Sequence, residues 1–177
     1  MCEYKRVNRE LQHKGVIVDF YNDTMQLPNG KMAVWDFINH KGAAAIVPVD
    51  KDGKIIMVRQ YRNAVEEYTL EIPAGGLNAG EDMKTCATRE LEEETGYRST
   101  KVDHLIDLYT TVAFCNEKIG IYYTQELIPS KQNLDEDEFV HVERYSLEEL
   151  VQFIFDGKIC DGKTIAAILA YKTKMGL

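Results

Sequence analysis

An α+β fold, laid out as an α/β/α sandwich with a mixed β-sheet between helices and a β-meander at its N-terminus, is what the sequence predicts. Three observations carry this. Strand-like runs alternate with three helix-like ones along the chain, which is the pattern of a sheet covered by helices. The longest helix-like run, "EDMKTCATRELEEET", has no Gly or Pro and ends at a glycine. The length of 177 residues, 45% of them hydrophobic and 28% charged, is that of one ordinary globule.

The elements follow in order. In the first forty residues "GVIVDFY" is apolar and β-branched, and "LPNGK" carries the Asn-Gly signal of a tight hairpin before "MAVWDFI". These residues, 1–40, are expected to form the meander, and 41–177 the main domain. "AAAIVPV" and "KIIMVRQYR" flank the turn-rich "DKDG", so a second hairpin is expected there. "YTLEIPAGG" reads as a strand running into a glycine pair. The helix after it repeats small or apolar residues at Met83, Ala87 and Leu91 and stops at Gly96. Strands are expected around "HLIDLYTTVAF", "KIGIYYTQEL" and "FVHVERY", with the acidic "NLDEDE" before the last. Ser146 and Glu149 form a capping box for "LEELVQFIF", and Asp161 caps "GKTIAAILAYKTK".

Composition removes several classes of function. A net charge of -8, from 29 acidic and 21 basic residues, opposes broad binding to nucleic acid or an anionic membrane. It leaves room for a small anionic substrate held through metal ions. Cys2, Cys86, Cys115 and Cys160 show no C-x-x-C and no Cys/His cluster, so reduced and mostly buried thiols are expected. No stretch reaches the ~18 apolar residues of a membrane span, and the N-terminus lacks a signal-like apolar run. A cytoplasmic protein is expected.

The helix over about 82–95 poses a chemical question, because "RELEEETG" concentrates carboxylates at a helix end that is already negative. Glu90 and Glu94 are i,i+4 and Glu93 lies three past Glu90, so the three share a face. Arg89 is four before Glu93, in reach to orient it, whereas Glu92 falls on the solvent row as a surface residue. Converging hard oxygens are what Mg²⁺ selects. A glutamate-rich stretch taken alone is more often a solvated face.

Spacing adds to this. Gly75, Glu81, Arg89, Glu90, Glu93, Glu94, Gly96 and Tyr97 fall in the pattern G-x5-E-x7-R-E-L-x-E-E-x-G-Y. The stretch resembles the Nudix box, with Tyr97 aromatic where an aliphatic residue is usual. "VRQYR", "LEIPAG", "FCNEKI", "DEDEF" and "GKICDGKTI" extend the likeness to the ADP-ribose pyrophosphatase and nucleotide-sugar hydrolase branch. The resemblance implies a Nudix hydrolase that uses Mg²⁺, or Mn²⁺ in its place. Glu90, Glu94, Glu138 and the carbonyl of Ala74 would be metal ligands and Glu93 a further catalytic carboxylate. It also implies a homodimer with composite sites, the meander being the dimerisation arm.

By the same resemblance Trp35 stacks on adenine, although a half-buried strand aromatic is the competing reading. Arg62 contacts substrate, while Arg59 is structural. Glu71, Phe114 and Glu117 stand near the substrate, the two glutamates being equally readable as strand-end charges. The general base is placed on the acidic loop, Glu138 first and Glu136 second. The implied reaction is ADP-ribose to AMP and ribose 5-phosphate. Because "TTVAF" lacks the proline common in ADP-ribose hydrolases of this branch, GDP-mannose or another nucleotide sugar stays open. A non-catalytic Nudix-like nucleotide-binding module is the reading from a different class; a Ca²⁺ binder is opposed by the lack of a D-x-D-x-D-G loop.

Overall fold

The computed structural model describes residues 3–134, 136 and 138–177. Cys2, and Asp135 and Asp137 of the acidic stretch, lie outside the described residues. The chain divides into two compact units, Met1–Gly42 with Tyr109–Lys118, and Ala43–Leu108 with Ile119–Leu177.

The first unit is built on an antiparallel meander of β1 (Lys5–Lys14), β2 (Val18–Gln26) and β3 (Met32–His40). The Asn-Gly turn forms as expected, Leu27 N–H bonding to Lys31 O at 2.8 Å and Gly30 N–H to Leu27 O at 2.9 Å. "GVIVDFY" does not begin in strand. Val16 and Ile17 form the tip of the β1–β2 turn, Val16 being 97% exposed. Strand β1 is the polar "KRVNRELQHK", which has none of the apolar alternation that marks a strand. Its Arg9 lies 3.6 Å over the Phe37 ring and grips buried Asp23 through two bonds of 2.6 Å.

The second unit holds two main sheets. One has the order β7 (Ala74–Gly76), β4 (Ala43–Pro48), β10 (Lys118–Thr124), β9 (Asp103–Tyr109), and is mixed: β4 runs parallel to β10 and antiparallel to β7. The other, β12 (His141–Tyr145), β5 (Ile55–Arg62), β6 (Glu67–Glu71), is antiparallel. A two-stranded ribbon pairs β8 (Tyr97–Arg98) with β11 (Ile128–Pro129).

Strand β4 shows why helices cover both faces. Alternate residues point opposite ways. Ala44 and Ile46 pack on Cys86, Ala87 and Leu91 of α1 (Met83–Thr95). Ala43, Ala45 and Val47 join the larger core with Leu150 of α2 (Leu147–Phe155) and Ala167 and Ile168 of α3 (Gly162–Met175). The α/β/α arrangement is therefore the one that the sequence predicts. The caps agree as well: the Ser146–Glu149 capping box is complete, and Asp161 caps α3.

Two expectations are corrected. The turn at "DKDG" forms, with Asp50 Oδ1 accepting from Asp52 and Lys54 N–H, but among the described residues the one bridge between its arms is Val49 to Ile55, Val49 lying just past β4, and β4 and β5 enter different sheets. "YTLEIPAGG" is likewise two strands, because β6 and β7 belong to different sheets on either side of Ile72–Pro73. Local apolar pattern marks strand runs without saying which partner they take. Of the described cysteines, all free, Cys86 is buried, Cys115 partly so and Cys160 exposed. Among the described residues, no helix is long and apolar enough to cross a membrane.

Candidate active site

The box helix α1 starts at Asp82, whose side chain accepts from the N–H groups of Lys84 and Thr85, and stops at Gly96 in the left-handed conformation (φ 70°). Its inner face buries Glu90 and Glu94 at 8% and 2% exposure. Arg89 holds the set together. It donates to Glu81 at 2.9 Å, to Glu90 Oε1 at 2.6 Å, to Glu93 Oε2 at 2.7 Å and to the carbonyl of Gly76 at 3.0 Å. Glu93 is thus oriented by Arg89, as the i,i+4 spacing requires.

Gly75 explains how Glu90 fits. A Cβ at position 75 would stand 1.9 Å from Glu90 Oε1, so the carboxylate occupies the space that any larger residue would fill. Strand β7 brings this backbone alongside α1, where Ala74 N–H donates to Glu94 Oε2 at 2.9 Å.

The electrostatics are those of an anion cluster short of cations. Burial pushes the Glu94 carboxyl up to about 8, aided by the charges of Glu90 and Glu138 and opposed by the Ala74 N–H and by Arg62. Glu90 is also raised, first by burial, then by Glu93 and Glu138, against the pull of Arg89. Buried carboxylates that repel one another, with hard oxygen donors and a glycine cradle beside them, fit a hard divalent cation. Among the described residues no three His, Cys, Asp or Glu side chains stand pre-gathered for a metal ion. Glu90 Oε1 is engaged by Arg89 here, so ligation through Glu90 requires its carboxylate to be shared or re-aimed.

Arg62 and Glu71 form one structure. Glu71, 1% exposed, accepts from Arg62 Nε at 2.8 Å and Nη2 at 2.7 Å, from Thr69 Oγ1 at 2.6 Å and from Lys163 Nζ. Lys163 also donates to Asp161 at 2.9 Å. This pairing takes the Nε–Nη2 edge of Arg62, whose side chain is 42% exposed, so Glu71 is placed as the holder of Arg62. Burial raises the Glu71 carboxyl, but Arg62 and Lys163 outweigh it and hold the group down at about 2. Lys163 was not singled out from the sequence; its position second in a capped helix gave no signal of a buried ion pair. Arg59, expected to be structural, pairs with Glu143 at 2.6 Å.

Beside this network, on β5, Gln60 has its amide nitrogen buried without a hydrogen-bond partner among the described residues. An unmade buried bond costs about 1–3 kcal/mol. Gln60→Met keeps the length and removes the polar group, so calorimetry should show Tm rising by a few degrees; a fall in Tm would contradict this.

The first unit carries the predicted aromatic pair. Trp35 and Phe114, 45% and 46% exposed, line an open cavity of about 400 Å³ together with Asp36, Phe37, Tyr109 and Val112. Trp35 also packs on Tyr4, ring centroids 5.7 Å apart. Glu117 accepts from Thr110 Oγ1 at 2.7 Å and lies 3.5 Å from His40. In the second unit Glu136 and Glu138 are exposed. Glu92, expected as a plain surface residue, is half-buried and accepts from the Ser130 hydroxyl.

A family model described as the NUDIX domain matches residues 39–168. The chain belongs to the Nudix hydrolase family. It is 38% identical over 177 residues to the ADP-ribose pyrophosphatase of Bacillus subtilis (strain 168), covering 99% of this chain and 96% of that protein. It is 40% identical over 171 residues to the methanol dehydrogenase activator of Bacillus methanolicus, covering 95% and 92%. The crystal structure of an ADP compounds hydrolase shares the fold with a TM-score of 0.87 at 22% identity, covering 98% of this chain and 95% of that one. Nudix hydrolases generally use divalent cations.

Proposed function

We propose that this protein hydrolyses the diphosphate bond of ADP-ribose to AMP and ribose 5-phosphate, using Mg²⁺ with Mn²⁺ as a substitute. The observation that carries the reading is the buried Glu90–Glu94 pair set against Gly75 within the field of Glu138. The full-length likeness to an ADP-ribose pyrophosphatase supports the choice of substrate.

Glu90 and Glu94 would hold the cation, with Glu93 and the Ala74 carbonyl as further oxygen donors. When bound, a divalent cation lowers the pKa of water in its shell and neutralises charge on the non-bridging phosphate oxygens. Arg62, fixed by Glu71, offers its remaining guanidinium donors to those oxygens. Glu138, with Glu136 second, takes the proton from the attacking water as the new P–O bond forms. The bridging P–O bond breaks and its oxygen leaves with the other phosphate. The aromatic cavity of the first unit, with Trp35 and Phe114, is chemically suited to a purine face.

The test is release of products from ADP-ribose, GDP-mannose, UDP-glucose and a dinucleotide polyphosphate under Mg²⁺. ADP-ribose should give the highest kcat/KM; a clear preference for GDP-mannose would move the assignment to another nucleotide sugar, and no turnover of any of them would leave a binding module. We also propose a homodimer held through the N-terminal meander. Sedimentation velocity at micromolar concentration should give a dimer, and a fully active monomer would overturn it.

A further inference from the structure

The stretch leading into the acidic loop is fastened to the C-terminal end of α1. Ser130 N–H donates to Gly96 O at 2.7 Å, Asn133 N–H to Glu93 O at 2.9 Å, and Gln132 Nε2 to Glu94 O at 2.7 Å. A helix end leaves its last carbonyls without intrahelical partners, and here the incoming chain supplies them. Gly96 suits this approach, since it takes φ 70° and a Cβ there would lie a tight 3.1 Å from Gln132 N. The Gln132 amide also reaches the carbonyl of Val140, at 3.5 Å. It therefore touches the backbone of a box glutamate and the residue that closes the acidic stretch, with Glu138 between the two points of attachment.

We infer that Gln132 is a positioning residue, which clasps Glu94 O and Val140 O and so sets the register of Glu138 against the carboxylates of Glu90 and Glu94. The inference rests on the reading of Glu138 as the base. The backbone bonds of Ser130 and Asn133 secure the near end of the segment whatever side chain stands at 132. The amide is what links near end, far end and helix in one place. Removing it leaves both ends attached, the near one through Ser130 and Asn133 and the far one through the pairing of β12 with β5 from His141, but takes away the tie that holds Glu138 against the helix; a displacement of about 1 Å at a reacting group can cost on the order of 10²-fold in rate.

The test is Gln132→Met, which keeps the length and loses the donor, with ADP-ribose and saturating Mg²⁺. The expected result is a fall in kcat of roughly ten- to a hundredfold, with KM and the Mg²⁺ requirement unchanged. A purely structural role would change stability and spare kcat per folded molecule. Combined with Glu138→Gln, the Gln132→Met loss should vanish, because a residue acting through Glu138 has nothing left to position. Wild-type kcat in Gln132→Met, or an equal loss in both backgrounds, overturns the inference while Glu138→Gln remains crippled. If Glu138→Gln itself keeps full kcat, the assignment of the base falls, and this inference falls with it.

Discussion

Glu138→Gln should lower kcat on ADP-ribose by about 10² to 10⁴, the usual loss for a positioned acid-base group, and should leave the Mg²⁺ concentration needed near that of wild type. The expectation follows from placement. Glu138 is exposed, on the acidic loop, yet close enough for its charge to act on both Glu90 and Glu94. A group that orients the attacking water is felt in the transition state, whereas a ligand is felt in the ground-state site too. Glu90→Gln and Glu94→Gln should accordingly raise the Mg²⁺ requirement and be partly rescued by excess metal. Steady-state kinetics at several metal concentrations separates the two classes. A silent Glu138→Gln beside a crippled Glu136→Gln would exchange their roles; if both are silent, the base lies elsewhere.

Glu71→Gln should cost about 3 kcal/mol of stability, the low end for breaking a buried pair, because it strips a counter-charge from Lys163 and Arg62 while Asp161 still pairs with Lys163. Lys163 is only 11% exposed, so its charge has little water to turn to. Urea denaturation of the metal-free protein reads the loss directly. The same carboxylate gives wild type a pH signature. Its folded value, about 2, lies below the ordinary 4.5, so the stabilisation is present above about pH 4.5 and is lost as pH falls from there through about 2. At 1.36 kcal/mol per unit the span amounts to about 3 kcal/mol. In Glu71→Gln that part of the acid dependence should be missing; an unchanged slope between pH 4.5 and 2 would show that Glu71 titrates normally.

The box helix was legible because its requirements are local. The i,i+4 spacing sets Glu90 and Glu94 on one face, Arg89 reaches Glu93 four residues on, and Gly96 can take a left-handed stop. Gly75 was legible as part of a spacing, but not its reason, which is contact with a carboxylate fifteen positions later in the chain. Glu71 was read for its neighbourhood and not for its partner, since the salt bridge to Lys163 joins residues 92 apart. The divergence of β4 from β5, and of β6 from β7, was invisible for a related reason: hydrophobic alternation fixes which face a residue takes, not which sheet claims the strand. Strand β1 lacked even the alternation, because nearly all of it is exposed. The question raised by crowding carboxylates at the end of α1 has a structural answer as well as a chemical one. The carbonyls of that end are taken up by Ser130, Gln132 and Asn133, none of which is near in sequence.

If the carboxylates of α1 hold a divalent cation used to cleave a diphosphate, catalysis and metal binding must fail together. Turnover of ADP-ribose as a function of Mg²⁺, in wild type and in folded Glu94→Gln, tests it most directly. AMP and ribose 5-phosphate should appear only with metal, chelation should stop the reaction, and Glu94→Gln should need far more Mg²⁺ for residual turnover. Turnover that ignores chelator, or a Glu94→Gln protein with the wild-type rate and metal dependence, would contradict it.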